Sequence, residues 1–341
     1  MGENTGPDRR DFLHTSAAVP LAAGLAAAPP AGEKAEKVPQ RAFGKTKDKV
    51  AALGLGGATL AQAPSYEEAE KIVREALDAG VTFLDNAWEY ADGRAEEWMG
   101  KAVKGHRDDV FLMTKVCSHG RDKATALKQL DESLKRLGTD HLDLWQIHEV
   151  VYWDDPDRHF AKGGAVEALE EAKKAGKVRF VGFTGHKHPA IHLKMLSFDF
   201  AFDAVQMPLN PFDATYRSFE REVLPVVNKK GMAAIGMKSF GGDGRPIVKG
   251  AVTAEEALRY AMSLPVAVTV SGIDSLAVLR QNLAVARGFV PMPAADAEAL
   301  RKRVAAYAAD GHLELYKSSA RYEGKVGREQ HGFPPSDELP L

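Results

Sequence analysis

At 341 residues, 45% of them hydrophobic and 27% charged, the chain has an ordinary globular composition and room for one large domain or two small ones. Lys plus Arg number 45 against 47 Asp plus Glu, a net charge of −2, with no basic stripe for nucleic acid and no like-charge block. The single cysteine, Cys117, excludes an intramolecular disulfide, a cysteine-ligated zinc site and an iron–sulfur cluster.

In chain order, Asp8-Arg9-Arg10-Asp11-Phe12-Leu13-His14 resembles a twin-arginine export motif, followed by a mildly apolar, alanine-rich stretch over 15–28. That stretch is too short for a stable membrane anchor. Residues 1–35 are therefore expected to be a leader read by twin-arginine export machinery, with a periplasmic or other extracytoplasmic destination. Without a working leader the location would be cytoplasmic.

A hairpin is predicted over 41–50, around a Gly-Lys-Thr-Lys turn. Strand-like apolar runs then begin near Ala52, Val81, Val110, Leu142, Val178, Ala204, Met232 and Val266. Helical segments separate them at 66–79, 95–103, 123–137, 163–175, 189–196, 216–228, 253–262 and 275–286. Gly80, Gly105, Gly138, Gly176 and Gly231 each sit just past a helix as stop signals. Eight such pairs, repeating every ~25–35 residues, predict a single-domain α/β fold: a closed (β/α)₈ TIM barrel spanning 36–312, with an N-terminal hairpin. An open doubly wound sheet would need Gly-x-Gly-x-x-Gly between its first strand and helix, and Gly54-Leu55-Gly56-Gly57 lacks that spacing. A last helix near 294–309 leads to a tail, 313–341, whose Tyr316, Tyr322 and Phe333 are candidates to cover a site.

Three of the apolar runs end on an ionisable residue: Asp85, Lys115 and His148. Tyr90 follows Asp85 by five positions. In a barrel the carboxyl ends of the strands share one rim, so these four side chains converge. A phenol is a weak acid at neutral pH, and a neighbouring ammonium draws it toward phenolate. Asp85 would balance Lys115, and a neutral imidazole of His148 would donate to an oxygen gaining charge. The set suits proton transfer to or from a carbonyl oxygen.

With these residues in view, the sequence resembles the aldo-keto reductases from about Arg41 to Arg287. The matching motifs are Leu53-Gly54-Leu55-Gly56-Gly57, Asp85-Asn86-Ala87 with Tyr90, Gly93-Arg94-Ala95-Glu96-Glu97, and Thr114-Lys115. Further on come Leu134-Lys135-Arg136-Leu137-Gly138-Thr139-Asp140, Gln146-Ile147-His148 and Gly182–Lys187. The resemblance implies an NAD(P)H-dependent oxidoreductase interconverting an aldehyde or ketone with its alcohol. Tyr90 would be its general acid, Lys115 and Asp85 the tuning pair, and His148 the group orienting the carbonyl. It implies a nicotinamide cofactor, NADP(H) favoured, NAD(H) held open, and no metal. Thr184 and Gln206 would hold the nicotinamide amide, with Gly185 where the family carries asparagine. Met237 would pack on the nicotinamide ring. Gly56, Lys238, Ser239 and Gly241 would approach the pyrophosphate. Gly272, Asp274, Arg280, Gln281 and Asn282 would meet the adenosine end, where a carboxylate such as Asp274 suits a free ribose hydroxyl.

Trp88, Tyr152, Trp153 and Phe212 are candidate pocket walls for a small carbonyl or alcohol. His186, His188 and His192 have ligand-like spacing but lack an acidic or cysteine partner and coincide with the cofactor motif, so they read as polar loop and helix-start residues. The same barrel also permits a catalytically weak nucleotide sensor, or a metal-dependent lyase or isomerase. Retention of all four site residues disfavours the first, and the absence of metal-ligand spacing disfavours the second.

Overall fold

The computed structural model describes residues 37–117 and 122–339. The twin-arginine-like segment and the expected 1–35 leader lie outside these. A short antiparallel hairpin, β1 (Gln40–Ala42) and β2 (Lys49–Ala51), precedes eight parallel strands. These are β3 (Leu53–Gly56), β4 (Phe83–Asp85), β5 (Phe111–Val116), β6 (Leu142–Ile147), β7 (Val178–Thr184), β8 (Ala204–Pro208), β9 (Ala233–Met237) and β10 (Val268–Gly272). They pair in sequence order, and β10 closes the ring against β3. The (β/α)₈ barrel is thus the fold of the chain.

The helices that follow the strands are α1 (Tyr66–Asp78), α2 (Arg94–Ala102), α3 (Lys123–Leu137), α4 (Ala165–Lys174), α5 (Pro189–Ser197), α6 (Leu224–Lys229), α7 (Ala254–Ser263) and α8 (Leu276–Ala286). A ninth, α9 (Ala294–Ala308), leads into the tail. Local chemistry sets their ends: Ser65 accepts from the Glu68 amide at the start of α1, and Gly138 adopts φ 65° past α3. One predicted helix, 216–228, is broken. Phe219–Glu222 forms a single turn, and Pro225, which lacks an amide hydrogen, opens α6 as a new start.

Every residue of β5 and β6 is buried, because one face meets the barrel interior and the other meets the helices. Leu53, Leu84, Leu112, Trp145 and Val181 fill the strand–helix layer. Phe83, Phe111, Met113, Leu144, Ile235 and Val268 fill the interior. The hairpin stoppers the amino-terminal end: Phe43 packs against Phe111 and Phe180 at 4.9 and 5.2 Å between ring centres. Gly44 turns there at φ 59°, and a Cβ on it would lie 2.7 Å from the Ala233 nitrogen. With that end sealed, the carboxyl ends of the strands form the open mouth.

His192 of α5 is fully buried between Phe183 and Phe219, its Nε2 facing the Gln206 carbonyl at 3.4 Å. Burial lowers its pKa from 6.5 to about 3. The unfolded chain therefore binds this proton first, so the stabilisation is complete above pH 6.5 and is lost as pH falls toward 3. Between pH 7 and pH 5, urea unfolding of the wild type should lose about 2 kcal/mol more than that of His192→Gln. Equal losses would remove His192 from the acid sensitivity.

Candidate active site

Lys115 leaves β5 pointing into the mouth and is almost wholly buried. Its Nζ donates to Asp85 Oδ1 at 2.6 Å, to the Asn86 carbonyl at 2.7 Å, and to the Tyr90 hydroxyl at 3.4 Å. The other Asp85 oxygen accepts from Gln206 Nε2 at 2.7 Å, and Gln206 Oε1 accepts from Gln146 Nε2 at 2.9 Å. His148 Nε2 lies 3.5 Å from the Tyr90 hydroxyl, the two rings edge to face. Residues from three strands and one loop thus meet around one phenol oxygen.

The phenol does not titrate as the ammonium alone would dictate. Although Tyr90 is partly open to the groove, its surroundings push its pKa well above the ordinary value, burial first, then the charges of Asp85, Glu89 and Glu149. Lys115 is itself pushed down by burial, with Asp85 opposing. The expectation that Lys115 draws Tyr90 toward phenolate is therefore corrected: Asp85 already answers that ammonium, and two further carboxylates face the phenol. At rest the group is a protonated acid.

The Tyr90 loop is strained and propped. Ala91 and Asp92 both adopt positive φ, 52° and 56°. Beneath them Arg136 of α3 donates to the Trp88 carbonyl at 2.8 Å and to Glu96 Oε2 at 3.2 Å, while Glu96 Oε1 accepts from Thr114 at 2.5 Å. Glu96 is completely buried, and burial raises its pKa.

A groove of about 3170 Å³ runs from Tyr90 along the rim. Gly56, Asp85, Gln206, Met237, Lys238, Ser239, Gly272, Asp274, Gln281 and Asn282 line it. Positive φ at Lys238, Gly241, Gly242 and Gly244 curls the loop after β9 into a concave backbone of the kind that cradles phosphates. Gly241 packs against Pro246 within that turn. Asn282 is buried and donates to Ser271 Oγ at 3.0 Å. An extended dinucleotide fits such a groove. Thr184 lies beneath Met237, its hydroxyl 3.9 Å from the sulfur, and does not line the groove itself.

Several expected site residues go elsewhere. Arg280 is exposed on α8 and grips Glu75 of α1 at 2.8 and 2.9 Å, outside the groove. The Lys238 ammonium rests over the rings of Tyr316 and Tyr322, at 5.2 and 5.0 Å, instead of reaching into the groove. Phe212 is core, packed among Tyr260, Leu300 and Val304. Trp88 turns to α3, donating to Glu132 at 2.7 Å. Trp153 is 61% exposed against His188. Tyr152 reaches the tail, donating to Glu323 at 3.1 Å and packing on His331 and Phe333.

The tail crosses the rim. Lys317 is fully buried and donates to Asp213 at 2.6 Å, Glu314 at 3.0 Å and the Tyr216 carbonyl at 2.8 Å. Tyr322 lines the groove beside Tyr90. The three histidines after β7 have separate tasks: His186 faces Glu149 at 3.4 Å, His188 caps α5, and His192 is core. A trio of Asp154, Asp155 and His331 brings ligand-type atoms within 4.8 Å, but Asp155 already holds the Val151 and Tyr152 amides and Asp154 holds Arg158. Sequence reading passed over Glu89, Gln146 and Glu149, since a carboxylate or amide in a loop or mid-strand carries no periodic signal. Arg136 was visible within a motif, but without a role.

Compared with known proteins, residues 52–245 match the Aldo/keto reductase family. The chain belongs to that family. Aldo-keto reductase YhdN of Bacillus subtilis is 32% identical over 185 residues, 50% of this chain and 51% of that one. L-galactose dehydrogenase of Arabidopsis thaliana is 32% identical over 159 residues, 44% and 49% of the two chains. The chain thus spans about half the length of the curated relatives it matches. An aldo-keto reductase from Klebsiella pneumoniae, solved with NADPH, superposes with a TM-score of 0.65 at 23% identity, covering 79% of this chain and 95% of that one. The fold of this aldo/keto reductase is therefore shared with solved members.

Replacing Arg136 by Met should destabilise the protein by about 3 kcal/mol, because a buried Glu96 is left without its cation. Denaturant unfolding measures this directly; a change below about 0.5 kcal/mol, the size expected at an uncoupled surface position, would show that the prop carries no load.

Proposed function

We propose that this chain is a nicotinamide-nucleotide-dependent oxidoreductase interconverting a small aldehyde or ketone with its alcohol, with Tyr90 as general acid and base. The observation that carries the reading is the Tyr90 hydroxyl at the groove floor, 3.4 Å from a buried ammonium and 3.5 Å from an imidazole. The nucleotide, when bound, supplies or accepts hydride. The chain's own residues do the rest. Met237, Ser239, Gly272, Gln281 and Asn282 line the groove that would hold the nucleotide, and Gly56 allows close approach at the first strand end. Tyr90 gives a proton to the oxygen that gains charge in reduction and takes one from the alcohol in oxidation. Lys115 and Asp85 hold the phenol in place, and the tail helps close the mouth to water.

NADP(H) is the favoured nucleotide, supported by the Klebsiella pneumoniae neighbour solved with NADPH. NAD(H) remains the alternative, because Arg280 is engaged by Glu75 and Asp274 lines the groove. Titrating tryptophan fluorescence with NADPH and with NADH decides between them. Replacing Tyr90 by Phe should lower turnover of a carbonyl panel by roughly 10²- to 10⁴-fold while nucleotide affinity stays within twofold. Wild-type turnover lost in that variant separates this reading from a nucleotide sensor; unchanged turnover would defeat it.

The leader adds a proposal of location. Export by the twin-arginine route carries a folded protein, so the nucleotide would be loaded before crossing. Changing Arg9 and Arg10 together to Lys should shift the protein from the periplasmic to the cytoplasmic fraction, and an unaltered distribution would rule the leader out.

A further inference from the structure

Glu89, immediately before Tyr90, touches the side of His148 that faces away from the phenol. One carboxylate oxygen lies 2.8 Å from His148 Nδ1, in contact though off the axis of an aligned hydrogen bond. The other accepts from Cys117 Sγ at 3.2 Å, which fixes the group between two strand ends. A carboxylate only accepts, and two lone pairs at 2.8 Å repel. The contact therefore selects the imidazole that carries its hydrogen on Nδ1 and leaves the Nε2 lone pair turned to the Tyr90 hydroxyl.

No other charged group competes for that ring. Asp85 is held by Lys115 and Gln206, Glu149 faces His186, and Lys238 rests over Tyr316 and Tyr322. Lys115 directs its hydrogens to Asp85, the Asn86 carbonyl and Tyr90. Lys115 and Asp85 are also sealed, their side chains 1% and 4% exposed, whereas the Glu89 side chain is 21% exposed and lines the groove. The branch of the site that meets water is the one through His148. A carboxylate, an imidazole and a hydroxyl in that order form a buttressed base.

We propose that Glu89 is a positioning residue acting through His148, holding the imidazole so that Nε2 takes the Tyr90 proton during alcohol oxidation and returns it during carbonyl reduction. This rests on the reading of Tyr90 as the acid and base. In oxidation, the alcohol O–H bond breaks and its proton passes to the Tyr90 oxygen as the Tyr90 proton moves to His148 Nε2. The carbinol hydride goes to the oxidised nicotinamide, and the C=O bond forms. Glu89 balances the imidazolium until its extra proton leaves to groove water. Reduction is the reverse. The raised pKa of Tyr90 gives the device its purpose, since a phenol that resists ionisation needs a base at its hydrogen.

The test uses the full chain and the variants Glu89→Gln and Glu89→Asp. Ring ¹⁵N shifts of labelled histidine, with His148 assigned by its absence in His148→Ala, should show His148 as the Nδ1–H tautomer in the wild type. The tautomer should be mixed in Glu89→Gln, whose amide can donate as well as accept. With 4-nitrobenzyl alcohol as probe, kcat should fall roughly 10- to 100-fold in Glu89→Gln and recover in part in Glu89→Asp, with KM and nucleotide affinity within twofold. An Nε2–H tautomer in the wild type, or equal kcat in wild type and Glu89→Gln, overturns the proposal. Absence of wild-type turnover across the carbonyl and alcohol panel counts instead against the reaction, and the tautomer measurement then judges the Glu89–His148 coupling alone.

Discussion

A buried ammonium organises the mouth of this barrel. Lys115 has left water, which is tolerable only if its hydrogens find strong acceptors, and the acceptors it uses all come from β4 and the loop after it. Asp85 in turn needs a donor for its second oxygen, and Gln206 reaches across from β8, itself steadied by Gln146 of β6. One unavoidable charge therefore ties four strands of the ring into a polar belt. The belt holds the Tyr90 oxygen in place because any shift would leave a buried charge without its partner.

Around that belt the protein carries a surplus of negative charge near the phenol. Glu89 and Glu149 add to Asp85, and the nearest mobile cation, Lys238, is drawn onto the two tail tyrosines. The site consequently stores a proton on Tyr90 instead of a phenolate. That arrangement differs from a simple picture of an ammonium acidifying a phenol, and it makes the groups on the imidazole side of Tyr90 as relevant as those on the lysine side. The tail is part of the same electrostatics: Lys317, deep among Asp213 and Glu314, anchors the segment that brings Tyr316 and Tyr322 to the rim.

The sequence by itself determined the barrel and the identity of its central four residues. Period-two and period-3.6 patterns separated by glycine stops marked eight strand–helix pairs, and an ionisable residue closing an apolar run can only sit at a strand end. Asp85, Lys115 and His148 were legible for that reason, and Tyr90 followed from the loop. What only the tertiary structure decided was direction. Successive residues on a helix point about 100° apart, so Arg280 swings out to Glu75 while Gln281 and Asn282 face the groove. Trp88, Phe212 and Tyr152 lie in the expected loops, yet their side chains turn to α3, to a satellite core and to the tail. Glu89 gained its place beside His148 from a turn in which Ala91 and Asp92 take positive φ. Such contacts join residues tens of positions apart through side-chain orientation, and a linear pattern records spacing along the chain without recording where a side chain ends.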